Sequence, residues 1–201
     1  MNDITSITFG LQAFVTLLVI LDPPGATPLF MSLVGSKERA EQVRMAWLAA
    51  ATSLLIITVF ALFGQAIVGY LDISISALQG AGGLLLLLVS LELLKGNDSE
   101  ASKNSAKNVA LVPLGTPLLA GPGAIVTIML FAARVEGTSD VIALSLAVLG
   151  AHLVIGLSLT FATRIISLIK ETGVELLAKI AGLLTAAIAF EMVMTGIKAL
   201  S

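Results

Sequence analysis

Cysteine is absent from this sequence of 201 residues, histidine occurs once, and charged residues make up only 12%. Without cysteine the chain has no disulfide bond, no thiolate metal site and no cysteine nucleophile. A single histidine excludes a metal site built from several histidines. The 11 basic and 13 acidic residues give a net charge of −2, so the chain lacks the positive charge that nucleic-acid binding requires.

Common catalytic signatures are also missing. The sequence contains no H-E-x-x-H motif, no G-x-S-x-G motif, no P-loop and no glycine-flanked pair of aspartates. We therefore expect neither an enzyme nor an ATP-driven pump, and we expect no cofactor and no resident metal. Energy for any active process would have to come from an ion gradient.

Apolar residues, in contrast, make up 57% of the chain, and the mean hydropathy is +1.05. Soluble domains carry about 25% charged residues, so this composition indicates an integral membrane protein. Each membrane span needs ~20 apolar residues, which predicts an all-α chain with about six spans in a single transmembrane domain, residues 1–201. The first residues contain no lysine or arginine, so we expect the first span to be retained rather than cleaved.

The predicted spans are separated by short polar or charged turns. They cover about residues 4–34, 45–69, 75–94, 109–133, 141–162 and 176–200. A polar stretch at residues 96–108 reads as a solvated loop and divides the chain into halves of about 4–95 and 109–201.

The first and fourth spans contain clusters of proline and glycine. The first includes Asp22-Pro23-Pro24-Gly25, and the fourth includes Gly121-Pro122-Gly123. Proline lacks the backbone N–H and clashes with the preceding turn, so each span must break at its cluster. Non-helical backbone at membrane depth is tolerated only where it is buried in protein or lines a water-filled cavity. Both clusters therefore predict the wall of a small-molecule site.

The two halves of the chain resemble each other. The proline and glycine clusters overlie at a spacing of 98 residues, and Gly83 with Glu92 overlies Gly182 with Glu191 at a spacing of 99. Three crossings in each half make such repeats inverted in the membrane, as in many secondary transporters. The predicted fold is therefore two inverted three-helix repeats in which the first helix of each repeat is broken.

Basic residues in the loops predict the orientation. With six crossings, one face collects nine: Lys37, Arg39, Arg44, Lys95, Lys103, Lys107, Arg164, Lys170 and Lys179. The other face has only Arg134 and Lys198, whereas a re-entrant fourth segment would give eight against three. Because basic loops stay in the cytoplasm, both termini are expected on the non-cytoplasmic side.

Asp22 is the most informative residue of the first break. It precedes Pro23 as an N-cap precedes the first residue of a helix. The half-helix beginning there would offer free N–H groups to a carboxylate, while Asp22 or the carbonyls ending at Leu21 would bind an ammonium. Gly25 and Gly123 would let substrate approach the backbone. The competing interpretation is that Asp22 only caps a kinked helix; two breaks in matching positions favour a site.

Other ionisable groups within spans are candidates for proton or cation coupling, since a charge at the bilayer centre costs ~2.5–3.5 kcal/mol or more. The coupling candidates are Glu191, Glu92 and Asp22. Glu92 could instead extend to the surface near Lys95, and Glu191 could be a structural partner for a neighbouring helix. His152 is interpreted as a neutral packing residue rather than a proton relay.

The two proline-containing motifs resemble those of the MarC family of bacterial and archaeal membrane proteins. Residues 22–30 fit its D-P-x-G-x-x-P-x-F motif, and residues 117–125 fit its P-x-x-x-G-P-G-A-I motif. The resemblance implies an inner-membrane protein related to the LysE group, with activity like that of members described as small neutral amino-acid transporters coupled to a cation gradient. The expected substrate-binding residues are Asp22, Pro23, Pro24, Gly25, Thr27, Pro28, Gly121, Pro122 and Gly123.

The sequence thus predicts a secondary transporter of glycine, alanine or a similar amino acid, coupled to a proton or sodium gradient by alternating access. The alternatives are a non-transporting membrane protein whose breaks form a partner surface, an ion pore and, as a weaker candidate, a drug efflux protein. The direction of transport, the coupling ion and the oligomeric state, a homo-oligomer included, are left open.

Overall fold

A computed structural model describes residues 5–95 and 119–200, and the structural statements below concern these residues. They form seven helices and no strand: α1 (Ser6–Leu21), α2 (Pro23–Val34), α3 (Arg39–Tyr70), α4 (Ile75–Lys95), α5 (Pro122–Ala132), α6 (Thr138–Thr160) and α7 (Ala162–Leu200). The predicted polar loop at 96–108 and the first part of the predicted fourth span lie outside the described residues.

Five helical segments are long and apolar enough to cross a membrane: Ser6–Val34, Arg39–Tyr70, Ile75–Lys95, Thr138–Thr160 and Glu175–Leu200. They confirm five of the six predicted spans by length and composition. The remaining predicted span is described only in its second half, where α5 is an apolar helix of 11 residues. A helix of this length does not cross a bilayer by itself.

Two helices begin earlier than the apolar pattern predicts. The charged stretch before Met45 is already helical from Arg39, and the Arg39 guanidinium donates a hydrogen bond to the Thr160 carbonyl at the end of α6. At the start of α7, Lys170 has φ 61° and interrupts the helix before the apolar part begins at Glu175. Hydropathy finds only the apolar portion of a helix, so these polar extensions were not predicted.

In the first span, α2 continues beyond the break in the same general direction as α1. Near its start, Gly10 packs against Ala143 in the first part of α6. Beyond the break, the Thr163 hydroxyl donates to the Met31 sulfur over 3.9 Å, just past the end of α6. Later residues of α1–α2 thus contact later residues of α6 and the start of α7, so both halves of the first span run parallel to α6. The segment is therefore kinked at Asp22 rather than folded back.

Helix α3 runs antiparallel to α6. Ser53, in the middle of α3, forms a hydrogen bond with His152, whereas Arg39 at its start meets Thr160 at the end of α6. The interior formed by α1, α2, α3, α5 and α6 is a single apolar cluster whose fully buried members include Leu17, Phe30, Ile57, Ile128 and Ile155. Because lipid is as apolar as these side chains, close packing rather than burial from water holds such an interior together.

Helices α4 and α7 pack closely and antiparallel through glycine. A Cβ on Gly83 would lie 2.7 Å from the Ala189 carbonyl oxygen, and a Cβ on Gly182 would lie 3.4 Å from the Ser90 carbonyl oxygen. At Gly196 a Cβ would lie 2.8 Å from the backbone of α4. Small residues let two backbones approach to this distance, as at many helix interfaces in membranes.

Candidate functional site

Asp22 alone joins α1 to α2. Its backbone is left-handed, at φ 43° and ψ 68°, a region that aspartate adopts more readily than most residues. The Asp22 N–H donates to the Leu18 carbonyl and so ends α1, while Oδ1 accepts a hydrogen bond of 3.2 Å from the Gly25 N–H and so starts α2. The predicted N-cap is confirmed. The side chain is only 7% exposed, and Oδ2 has no hydrogen-bond partner among the described residues.

The start of α2 has no free N–H group, contrary to the expectation from the sequence. Pro23 and Pro24 have no N–H, Gly25 donates to the Asp22 side chain, and Ala26 donates to the Asp22 carbonyl at 2.8 Å. The two prolines also remove the helical donors for the last carbonyls of α1. The first break is therefore rich in hydrogen-bond acceptors and has no donor to offer.

Gly25, Thr27 and Pro28 each have a local role in α2. A Cβ on Gly25 would collide with Oδ2 of Asp22, so glycine makes room for the carboxylate. The Thr27 hydroxyl donates to the Pro23 carbonyl at 2.6 Å and is satisfied within the helix. Pro28 supplies no N–H, which leaves the Pro24 carbonyl without its helical donor. That carbonyl is a further acceptor near the break.

The second break has the opposite character. Helix α5 begins after Gly121, which caps it without any side-chain hydrogen bond, and Pro122 occupies its first position. The next two N–H groups, of Gly123 and Ala124, have no acceptor among the described residues, whereas Ile125 donates to the Gly121 carbonyl at 3.1 Å. Both residues are buried. The start of α5 thus offers two donors that no described side chain caps.

The two helix starts lie on one face of α4. A Cβ on Gly25 would lie 3.4 Å from Leu93, and a Cβ on Gly123 would press against Leu86, seven residues earlier. Seven residues are two turns of helix, or about 10 Å along the axis. Helix α5 runs from Gly123 back along α4 toward Gly82, which Val126 contacts. Helix α2 starts at Leu93 and runs in the other direction, so the two N-termini point toward each other.

Three of the four buried side-chain oxygens that lack a hydrogen bond among the described residues lie near the level of the two breaks, and the fourth, on Thr160, lies at the end of α6. The described side chains include four buried oxygens without a hydrogen bond, on Asp22, Thr127, Thr160 and Thr185. Thr127 follows Gly123 by one turn of α5 and is 2% exposed. Thr185 is also 2% exposed and lies on α7 between the contacts that Gly182 and Ala189 make with α4.

The sequence analysis did not identify Thr127 or Thr185 as site residues, because threonine is common in spans and usually forms a hydrogen bond within its own helix. The sequence signal for Thr127 is its position one turn after the G-P-G cluster. Each unsatisfied group costs about 1–3 kcal/mol in a buried place, so these oxygens are candidates for ligand contact.

Glu191 lies apart from these groups. Its side chain is exposed on the surface of α7 and has no hydrogen bond or ion pair with any described residue. The structure therefore does not bring it together with Asp22. For Glu92 only the helical backbone in α4 is described. Its predicted coupling role concerns the side chain and stays a prediction.

His152 is buried, and both of its ring nitrogens form hydrogen bonds. Nδ1 lies 2.8 Å from the Val148 carbonyl, which only accepts, so Nδ1 carries the proton. Nε2 lies 3.1 Å from the Ser53 hydroxyl, which can donate to it or accept from it. Both nitrogens are occupied, in keeping with the packing role expected from the sequence.

Comparison with known proteins gives one consistent result. The chain matches the family described as MarC family integral membrane protein over residues 7–201. A UPF0056 membrane protein of Methanocaldococcus jannaschii is 34% identical, with 94% of this chain and 96% of the relative covered. Another from Archaeoglobus fulgidus is 35% identical, with coverages of 95% and 93%, and one from Aquifex aeolicus is 29% identical, with coverages of 93% and 91%. No solved structure matches the chain.

Proposed function

This chain belongs to the MarC family of integral membrane proteins, and we propose that it is a secondary transporter of small neutral amino acids such as glycine and alanine. The observation that carries the proposal is the meeting of two broken helices inside the bundle. Their N-termini face each other on one side of α4, next to a buried carboxylate with an unpartnered oxygen. Discontinuous helices that meet at a repeat interface form the substrate site in many secondary transporters.

Contacts related by a spacing of 99 residues support the inverted repeats. Gly83 packs against Ala189 and Val193, and the positions 99 residues away, Gly182, Ser90 and Leu94, are themselves in contact. Ser53 and His152 are also 99 residues apart and bond to each other, and α2 and α5 begin at Pro23 and Pro122. Reciprocal contacts of this kind arise where a two-fold axis relates two halves. Alternating access would move one half against the other around the fixed site.

The site favours a small polar substrate. The two helix starts are separated by about 10 Å or less along α4, and the groups around them include backbone donors, backbone acceptors and the Asp22 carboxylate. An apolar drug would leave these polar groups without partners, which costs about 1–3 kcal/mol for each. Glycine and alanine carry charged groups that match them.

Coupling to a proton or sodium gradient completes the proposal. Asp22 is the coupling candidate that lies at the breaks, with Glu191 and Glu92 as candidates elsewhere in the spans. In the inner membrane, the basic end of the bundle, where Arg39 meets Thr160, would face the cytoplasm and both termini the other side.

The test is uptake of labelled glycine and alanine by purified protein in liposomes, with a proton gradient, a sodium gradient or neither. We expect accumulation with one gradient that excess unlabelled substrate abolishes. Asp22→Asn keeps an oxygen for the Gly25 cap and should reduce uptake at least tenfold, whereas His152→Ala should reduce it much less. Absence of uptake of both amino acids by folded protein under every gradient would refute the proposal.

A further inference from the structure

The two breaks differ in what they offer a ligand. At the first, the possible donors of α2 are absent or already used, and Asp22 is 7% exposed with its Oδ2 bonded to no described residue. Two carbonyls at the end of α1 and the Pro24 carbonyl also lack helical donors, because the residues four positions later are prolines. A group that carries several hydrogens and a positive charge satisfies this surplus of acceptors.

At the second break the surplus is of donors. The N–H groups of Gly123 and Ala124 point out of the start of α5, where the helix dipole favours negative charge. Thr127 supplies a second, independent feature. Thr127 is 2% exposed, and its hydroxyl has no hydrogen bond to any described residue; because helical side chains lean toward the N-terminus, it lies over the turn that begins at Gly123.

The two sets of groups lie within reach of one small molecule. Leu86 and Leu93, which mark the two helix starts on α4, are about 10 Å apart, and Asp22 precedes Gly25 on the side of α5. In an α-amino acid the nitrogen and the carboxylate oxygens are about 3 Å apart, and a hydrogen bond of about 2.9 Å on each side gives a span of roughly 9 Å. Ile20, two residues before Asp22, packs against the cluster that contains Val126 of α5.

On the basis of the proposed function, we infer that each break binds one charged group of the amino-acid substrate. The start of α5, with the N–H groups of Gly123 and Ala124 and the Thr127 hydroxyl, binds the carboxylate. Asp22 and the donor-free carbonyls beside it bind the ammonium. The substrate lies between the two helix N-termini with a fixed polarity, and Thr127 is a substrate-binding residue.

Single-pole ligands test this assignment. Binding to purified protein is measured by competition against labelled alanine with three ligands: alanine, propionate, which lacks the ammonium, and alaninamide, which lacks the carboxylate. Thr127→Val should weaken alanine and propionate about tenfold, as expected for the loss of one hydrogen bond to a charged group, and leave alaninamide within twofold. Asp22→Asn should weaken alanine and alaninamide and leave propionate within twofold.

Thr160→Val is the matched control. It removes a hydroxyl whose oxygen is likewise buried and bonded to no described residue, at the end of α6 beside Arg39, and should leave all three affinities unchanged. Thr127→Ser keeps the hydroxyl and should restore the wild-type affinities even if Thr127→Val folds poorly.

The outcomes separate the inference from the function on which it rests. If the wild type binds alanine but Thr127→Val weakens propionate and alaninamide equally, or weakens neither alanine nor propionate, the assignment of poles is wrong and the transporter proposal stands. The reversed pattern, with Thr127→Val acting on alaninamide, also overturns it. If the wild type binds neither glycine nor alanine, both proposals fail.

Discussion

Asp22 performs three tasks in one residue. It ends α1 with its N–H, starts α2 with its Oδ1, and turns the chain through a left-handed conformation between them. Alanine would lose the cap, at about 0.5–2 kcal/mol, and would pay about 1–2 kcal/mol for the left-handed backbone. Asparagine retains both the cap oxygen and the tolerance for this conformation. Structural and functional effects of this residue are therefore separable.

Substitution of Asp22 should thus affect stability and transport differently. We expect Asp22→Ala to lower the free energy of unfolding in mixed micelles by about 2–3 kcal/mol, because the cap and the backbone preference are both lost. Asp22→Asn should lower it by less than about 1 kcal/mol while still impairing uptake. Equal stabilities of the two variants would contradict the capping role.

The pair Ser53–His152 gives a second prediction at this scale. Ser53→Ala leaves Nε2 of His152 buried without its hydrogen-bond partner, which should cost about 1–3 kcal/mol of stability with little loss of uptake. Ser32→Ala, at an exposed serine that bonds only within its own helix, is the control and should change stability by less than about 0.5 kcal/mol. A large loss of uptake in a stable Ser53→Ala protein would instead give His152 a functional role.

At the scale of the element, proline chemistry and glycine packing set the shape of the helices. Two consecutive prolines end α1 and start α2, so the break occurs at Asp22 whatever surrounds it. Close approach of α4 and α7 depends on glycines that face the other backbone. Not every glycine of α4 does so: a Cβ on Gly80 would meet nothing within 4 Å, whereas one on Gly83 would meet the Ala189 carbonyl.

These two glycines, one turn apart in the same helix, predict opposite results. Gly83→Ala should destabilise the protein by about 1–3 kcal/mol, because the added methyl group forces α4 and α7 apart. Gly80→Ala meets open space and should be neutral or stabilise the helix by up to about 1 kcal/mol. Thermal unfolding of the two variants in detergent measures the difference, and similar midpoints would show that the helices do not pack as described.

At the scale of the whole molecule, the helix directions sort the loops onto two ends. One end holds the turn after α2, the start of α3 and the end of α6, which Arg39 and Thr160 join. The other holds the turn between α5 and α6, where Arg134 lies over the Phe131 ring, and Phe131 contacts Phe9 near the start of α1. The excess of basic residues at the first end predicts that this end faces the cytoplasm.

Absence of cysteine makes this orientation directly measurable. Ser36→Cys introduces a thiol in the turn after α2, and Glu136→Cys introduces one in the turn before α6. In intact cells, a maleimide that does not cross the membrane should label the cysteine at 136 and not the one at 36, and both should react after permeabilisation. Labelling of the cysteine at 36 alone would reverse the predicted topology.

The sequence by itself determined what depends on local chemistry. Apolar runs located five spans that the structure describes, Pro23 located the start of α2 to the residue, and the cluster at Gly121-Pro122-Gly123 located the second break, because missing N–H groups act wherever the chain is placed. The same local reasoning identified the N-cap at Asp22. It also indicated free N–H groups at the first break, and there it was wrong, since counting donors required knowing that the Asp22 carboxylate turns back onto Gly25.

Tertiary structure alone decided which groups meet and which are left without partners. Four findings depend on residues far apart in the chain: α2 continues in the direction of α1 beyond the kink, the N-termini of α2 and α5 face each other on α4, the hydroxyls of Thr127 and Thr185 have no partner among the described residues, and Glu191 is exposed. Satisfaction of a buried oxygen is a property of everything packed around it. A residue type and its place in a span set the cost of a polar group, and only the neighbouring helices determine whether a partner meets it.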